Sequence, residues 1–357
     1  MIKGVFDKFY DFSHLVYRRQ GARNSDKHYF KLLKEHQIEI RRLSKQEKKQ
    51  VDLLWRGLVK DYSTHELYYS VTGTFDPGIC SEMLFRTKIE LMLNNQQFKR
   101  AWADKCYFER IFPELSFPHT FVRNIGGHFY DEKYTLISEE DAIRIIEDHP
   151  KYVAKPSLDN GVGKGVRLIE TKNTAAKDVL KKYKQDFVLQ DVFEQHDVLQ
   201  RFSPVSVNVM RVMTLMLKDK VHYLSASLRA STSGAFNDNC ITDDGMGMIV
   251  IGVDDKGYVK DRGFFSCGES TDKLADGFKF GGVKIPGFEL IPALVTNAHE
   301  KLGHFGFVSW DVTIDKSGKP VIMEYNIKGM GMLYYQYANG PLFQDKTEDI
   351  IDLLKSK

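Results

Sequence analysis

Two carboxylates and a carboxamide toward the C-terminal end have the spacing of a hard-cation site. They are Asp311, in Phe307-Val-Ser-Trp-Asp311, and Glu324 and Asn326, in Gly318-Lys-Pro-Val-Ile-Met-Glu324-Tyr-Asn326. Glu324 and Asn326 lie two apart in a strand-like run, so they share a face. The turn Asp315-Lys316-Ser317-Gly318 predicts a hairpin that lets Asp311 reach the same side. Oxygen donors of this kind suit Mg²⁺, which also takes phosphate oxygens and waters. A solvent-facing strand edge is the plainer reading of such residues. However, Val321, Met323 and Tyr325 alternate with Ile322, Glu324 and Asn326, and a carboxylate in partly apolar surroundings needs a partner.

A second group suits phosphate. Tyr152-Val-Ala-Lys155-Pro-Ser157-Leu-Asp-Asn160-Gly161-Val-Gly163-Lys164-Gly165-Val166 carries three alternating glycines. Glycines let backbone amides approach phosphate oxygens, because no Cβ intrudes. Lys155 ends a strand and is a fixed point charge. The run fits neither G-x4-GK[ST] nor GxGxxG, and a glycine hairpin can equally be a plain turn. A third group is arginine: Arg211 in Ser206-Val-Asn208-Val-Met-Arg211, and Arg229 in Ser227-Leu-Arg229. Each could clamp phosphate or carboxylate, or simply pair on the surface. Asn208, three residues from Arg211, should face the other side of its strand.

These residues need strands to hold them. Strand patterns occur at 120–130 with a Gly126-Gly127 turn, 151–155, 166–169, 187–193, 207–217, 222–228, 248–253, 258–260, 307–314 and 320–325. Helices are predicted at 80–100, from Asp104 to Phe112, after Ser138-Glu139-Glu140, from Thr174 to about Tyr183, and over 292–302. Residues 1 to about 60 read as helical, with Tyr29, Leu32, Leu33 and His36 at helical spacing. Mixed strands and hairpins indicate an α+β fold. The division expected is a helical N-terminal region (1–100), a lobe with the glycine-rich loop (101–200) and a lobe with the metal site (201–357).

The 357 residues suggest two or three packed units. Hydrophobic residues at 42% and charged residues at 28% exclude wholesale disorder and a fibrous protein. A net charge of +3 argues against a nucleic-acid coat, and no nucleic-acid partner is expected. Cys80, Cys106, Cys240 and Cys267 are widely spaced, as in reduced cytosolic proteins. The N-terminus has no secretory h-region, and no apolar run approaches the ~20 residues of a membrane helix. A soluble, cytoplasmic protein is expected. The charge is uneven, since Arg18 to Lys49 holds 11 basic and 4 acidic residues.

Taken together, the motifs resemble the ATP-grasp superfamily, and more closely the sugar-transfer-associated ATP-grasp family of bacterial polysaccharide synthesis. The resemblance runs from about Asp76 to Leu342. It rests on Phe75-Asp-Pro, Asp104-Lys105, Ala154-Lys155-Pro-Ser, Gly163-Lys-Gly-Val, Gln190-Asp-Val-Phe with Gln195-His196, Ser206-Val-Asn…Arg211, Arg229, Asp238-Asn239, Ser309-Trp-Asp311 and Glu324-Tyr-Asn326. It implies two α/β lobes clasping ATP, with Mg²⁺ on Asp311, Glu324 and Asn326. Lys105 and Lys155 would contact the α- and β-phosphates. Ser157 and the loop of Asn160, Gly161, Gly163, Lys164 and Gly165 would cover the triphosphate. Gln190, Asp191 and Phe193 would line the adenine edge, and Asp197 or His196 would reach the ribose. Arg211 and Arg229, with Lys155, would serve catalysis. The sequence departs from its relatives at Gln190-Asp191, where many carry Glu, and at Ile327-Lys328-Gly-Met-Gly, where they usually place a Pro-Gly turn.

The activity implied is ATP-dependent carboxylate–amine ligation through an acyl phosphate, on a sugar acid or glycan precursor. The alternative on the same fold is a phosphotransferase to a hydroxyl, with Asp238 or His222 as base. The basic stretch reads either as a solvated helical face or as a dock for an anionic glycan carrier or the inner membrane surface.

Overall fold

The computed structural model describes residues 2–158, 163–236 and 242–356. Its first part is helical: α1 (Ile2–Glu35), α2 (Lys45–Leu54), α3 (Ser63–Thr72), α4 (Glu82–Leu84), α5 (Glu90–Leu93), α6 (Lys99–Trp102) and α7 (Phe108–Ile111). Ser44 starts α2 through a capping box with Glu47, satisfying two orphan donors at once. The single helix predicted over 80–100 is broken. A π turn, Phe85–Ile89, separates α4 from α5, and the chain turns extended at Asn94. The reason lies far away in sequence. Asn94 donates to the carbonyls of Phe307 and Ile327 and accepts from the Phe307 N–H. These tertiary bonds outweigh helical propensity.

Next come β1 (Thr120–Ile125), β2 (His128–Asp131), β3 (Leu136–Ile137), α8 (Glu139–Glu147), β4 (Lys151–Pro156), β5 (Arg167–Glu170), α9 (Ala176–Tyr183) and β6 (Phe187–Asp191). The strands form an antiparallel sheet in the order β3-β2-β1-β6-β4-β5. Ser138 caps α8 as its sequence predicts, with three acidic residues in the first turn. Ala142 and Ile146 of α8 and Val179 and Leu180 of α9 pack on Phe121, Tyr152 and Phe187 of the sheet.

The third part contains α10 (Asp197–Gln200), β7 (Val209–Leu217), β8 (Lys220–Ser231), β9 (Met248–Val253), β10 (Val259–Phe265), β11 (Ser270–Thr271), α11 (Ile291–Glu300), β12 (Phe307–Ile314), β13 (Pro320–Asn326), α12 (Leu333–Asn339) and α13 (Thr347–Lys355). Its antiparallel sheet has the order β11-β10-β9-β8-β7-β12-β13. One face, with Met210, Val212, Leu228 and Trp310, packs on Ile291 and Val295 of α11. The other, with Met213, Leu215, Val250 and Phe307, packs on α1, α3, α12 and α13 through Leu33, Leu67, Leu333 and Ile350. The N-terminal helices therefore cover the second sheet and do not form a separate appendage. Their basic residues are partly consumed in doing so. Arg18 pairs with the buried Glu90, and Arg42 with the buried Glu66.

Candidate active site

A cavity of about 1030 Å³ lies between the sheets. The first sheet lines it with Lys151, Val153, Lys155, Leu168 and Asp191, and the second with Val209, Arg211, Arg229, Asp311, Met323, Glu324 and Asn326. Strand register explains the second group. Asp311 stands opposite Arg211 on β7 and opposite Glu324 on β13, and Arg229 stands opposite Val209, two residues before Arg211. Directly opposed residues point to one side of a sheet, so these side chains share a face.

Glu324 reaches that face through a β-bulge. Val312 pairs with Ile322, but Asp311 pairs with Glu324, leaving Met323 as the extra residue. Strict alternation would put Glu324 beside Ile322, in the core packed on α11. The bulge turns it to the cavity, a common use of bulges. The sequence pattern groups Ile322 with Glu324 and Asn326, and here the structure corrects it.

Arg211 Nε approaches Asp311 Oδ1 at 2.6 Å as an ion pair, without hydrogen-bond alignment. The second oxygen, Oδ2, accepts from Arg211 Nη2 and Arg229 Nη2, both at 3.2 Å. Arg211 Nη1 also donates to Ser309, and Arg229 Nη1 to the Tyr335 hydroxyl. All three charged groups are buried. Asp311 thus holds two guanidinium groups in one place.

Lys105 Nζ lies 3.2 Å from Glu324 Oε2. Burial opposes charge on Glu324, but Lys105, helped by Arg211 and Lys155, prevails and holds its carboxyl below the usual range. Lys105 opens a short 3₁₀ turn that Asp104 caps by accepting from the Cys106 N–H. The Lys105 N–H donates to the Ser157 carbonyl, fastening this turn to the end of β4. Among the described residues, eight cationic side chains and four carboxylates line the cavity, so it favours an anionic ligand.

Residues 84–351 match the family described as sugar-transfer associated ATP-grasp. The chain belongs to the sugar-transfer-associated ATP-grasp family. Its two-lobed architecture is the ATP-grasp fold. Among solved structures, it is similar to the ATP-grasp ligase PsnB complexed with minimal precursor, at 14% identity over 73% of this chain and 64% of that one, TM-score 0.41. It is also similar to VanG D-Ala:D-Ser ligase from Enterococcus faecalis, at 14% identity over 71% and 61%, TM-score 0.42. An L-amino acid ligase from Bacillus licheniformis is 16% identical over 72% and 48%, TM-score 0.38. The chain spans less than two thirds of the length of each. No curated protein matches the sequence.

In this ATP-grasp chain, Lys105, Lys155, Gly163, Asp191, Phe193, Arg211, Arg229, Asp311, Glu324 and Asn326 all line the cavity. Six other residues proposed from sequence do not. Ser157 is fully buried behind it, and its contribution is the carbonyl that anchors Lys105. Gln190 donates to the Pro118 carbonyl and Thr120 hydroxyl within the first sheet. Asp197 is exposed and paired with Lys316, and His196 caps α10 by accepting from the Val198 N–H. Lys164 and Gly165 are exposed beyond the lining, where the Tyr183 hydroxyl donates to the Gly165 carbonyl. Asn160 and Gly161 lie outside the described residues, as do Asp238 and Asn239. Asn208 points away from Arg211, as expected, and donates to the Leu199 and Ser203 carbonyls. His222 lies outside the cavity lining, with Lys346 and Lys220 among its near charges.

Sequence reading missed Arg86, Lys151, Tyr29, Tyr334 and Tyr335, which also line the ATP-grasp cavity. The π turn that carries Arg86 is visible only in the fold. No group of three His, Cys, Asp or Glu ligands occurs among the described residues. The hard-donor set is two carboxylates and one amide. Among the described residues the buried Asn326 Nδ2 has no hydrogen-bond partner. The donor chemistry fits Mg²⁺.

Proposed function

We propose that this protein is an ATP-dependent carboxylate–amine ligase acting on a sugar acid or glycan precursor in polysaccharide synthesis. The observation that carries the reading is the shared face of Arg211, Arg229, Asp311, Glu324 and Asn326, set against Lys105 and Lys155 in one cationic cavity. A carboxylate oxygen attacks the γ-phosphorus of ATP, the bond to the β-phosphate oxygen breaks, and ADP leaves. An amine nitrogen then attacks the acyl carbon. It loses a proton, inorganic phosphate departs, and an amide remains.

The chain's own groups suit this chemistry. The reacting oxygen is already anionic, so the work is positioning and charge neutralisation. Lys105 and Lys155 hold the α- and β-phosphates. Gly163 and the hinge of Asp191 and Phe193 border the nucleotide. Arg211 and Arg229, fixed by Asp311, neutralise charge on the transferred phosphoryl group. Glu324 and Asn326, with Asp311, would hold Mg²⁺, which supplies charge neutralisation on the phosphate oxygens.

The family's association with sugar transfer supports a sugar-acid substrate. No helix among the described residues is long and apolar enough to cross a membrane, and we assign the activity to the cytoplasm. Exposed Lys27, Lys34, Lys45 and Lys49 would meet an anionic glycan carrier or the inner membrane surface.

Lys155→Ala and Glu324→Ala should each abolish ADP release with the melting transition retained. Wild-type turnover in both variants would overturn the proposal. Hydroxylamine added to the reaction should trap the acyl phosphate as a hydroxamate. A stable phosphoester with no hydroxamate would instead mark a phosphotransferase.

A further inference from the structure

One end of the cavity is built by residues outside the nucleotide machinery. Tyr335 touches the arginines: its hydroxyl accepts from Arg229, and its ring lies 5.5 Å from the Arg211 guanidinium. Beside it, Tyr334 meets Tyr29 of α1 edge to face, with ring centres 5.3 Å apart. Arg86 lines the same cavity from the π turn. The hinge of Asp191 and Phe193 belongs to the first sheet's side. A path of contacts therefore leads from Asp311 through Arg229 to Tyr335, and from its chain neighbour Tyr334 to Tyr29 of the N-terminal helices.

Arg86 is held at one nitrogen by Glu82, four residues before it. Glu82 Oε2 accepts from its Nε at 2.8 Å, and Glu82 Oε1 accepts from the Met332 and Leu333 N–H groups. Glu90 pairs with Arg18 and accepts from the Gly329 N–H. The wider π turn brings Glu82, Arg86 and Glu90, spaced by four, closer to one line than an α-helix would. Two buried carboxylates thus tie the segment after Asn326 to the N-terminal helices. With Glu82 occupying Nε, the two terminal nitrogens of Arg86 make no hydrogen bond among the described residues. A guanidinium with its fork open to a cavity is a receptor for a carboxylate or phosphate.

We propose that the N-terminal helices form the acceptor end of the site, and that Arg86 binds a second anionic group, carboxylate or phosphate, on the substrate whose first carboxylate reacts. The substrate is then at least a dianion, longer than a simple monocarboxylate. Tyr29, Tyr334 and Tyr335 wall the space between its two charges. This inference rests on the ligase reading.

Binding without turnover separates the two. Calorimetric titration of the protein, loaded with Mg²⁺ and a non-hydrolysable ATP analogue, would use three probes: a hexuronate, its 1-phosphate and the corresponding aldarate dicarboxylate. Wild type should bind one or both dianions about tenfold more tightly than the hexuronate. A preference for the 1-phosphate marks a phosphate substrate, and one for the aldarate a dicarboxylate. Arg86→Gln should remove the preference. Should that variant fail to fold, Arg86→Lys keeps a charge for Glu82 but loses the fork, and should still narrow the preference severalfold. Equal affinity of wild type for all three probes overturns the proposal. So does an unchanged preference in a folded Arg86 variant, or no binding of any probe. A dianion that binds in this pattern but yields neither ADP nor hydroxamate would overturn the ligase reading and leave Arg86's role standing.

Discussion

Arg211 and Asp311 stand directly opposite each other on neighbouring strands, and their side chains meet at 2.6 Å in the buried wall of the cavity. Arg229 reaches the same carboxylate from the next strand but one. Removing the carboxylate leaves two guanidinium groups buried without their shared anchor. Asp311→Asn should therefore cost about 3–5 kcal/mol of stability, the magnitude for breaking a buried pair. Denaturant unfolding would check it. The paired double variant Arg211→Met/Asp311→Leu should be clearly less destabilised in the same assay.

The Lys105–Glu324 contact sets a pH dependence. Glu324's carboxyl lies below its usual range because nearby cations outweigh its burial. Its ionised form is thus favoured above that lowered value and lost as pH falls through it. Lys105→Ala removes the largest cationic contribution, so the carboxyl should shift upward. The acid limb of the pH profile for ADP release should move to higher pH. A variant limb coincident with wild type would show that Glu324 does not control it.

Gly165 tests the glycine loop. Its φ is +84°, and a Cβ there would meet Pro156 Cγ at 2.9 Å. Gly165→Ala adds left-handed strain of about 1–2 kcal/mol at an exposed turn. Nucleotide affinity should fall by up to about tenfold. The main melting transition should move little, since the three hydrophobic cores do not include this turn. Equilibrium titration with a fluorescent ATP analogue, beside calorimetry, reads both.

Asp26, buried on α1, gives a stability signature opposite to an ordinary salt-bridged acid. Burial first, then the charges of Glu82 and Asp61, push its pKa up to about 8. The unfolded chain releases this proton near pH 4, while the folded chain keeps it to about pH 8. Stability therefore falls as pH rises across that window and is level above it. Asp26→Asn cannot ionise, so its melting temperature relative to wild type should increase from pH 5 to pH 8. An offset constant across that range would contradict the assignment.

The basic stretch needs a more careful reversal than its sequence suggests. Arg18 and Arg42 neutralise buried Glu90 and Glu66, so changing either would unsettle packing. Lys27 and Lys34 are exposed on α1, seven residues apart and so on one side of it. Lys27→Glu/Lys34→Glu should leave melting unchanged. If α1 meets an anionic surface, the pair should weaken co-sedimentation with acidic-lipid vesicles, by about 1 kcal/mol for each lost charge. The effect should vanish at high salt.

Local features of this chain were legible in the sequence because their causes lie within a few residues. Ser138 and its acidic neighbours start a helix, Asp315-Lys316-Ser317-Gly318 closes the β12–β13 hairpin, and the Lys155 and Glu324-x-Asn326 motifs sit on strands. The order of these motifs along the chain was enough to indicate the family. Tertiary structure alone decided which side chains meet. The bulge at Met323 reverses the face of Glu324, and it depends on register with β12. Asn94 ends a helix for partners more than 200 residues away. Gln190 turns into the protein because Pro118 and Thr120 take its amide, and Ser157 is buried where its main chain pairs with Asp186 and Lys105. Arg86 and Tyr29 enter the cavity only because the N-terminal helices pack on the second sheet. Periodicity records the faces of one element. The pairing of faces is set by burial and register between elements, and no short window of sequence contains those.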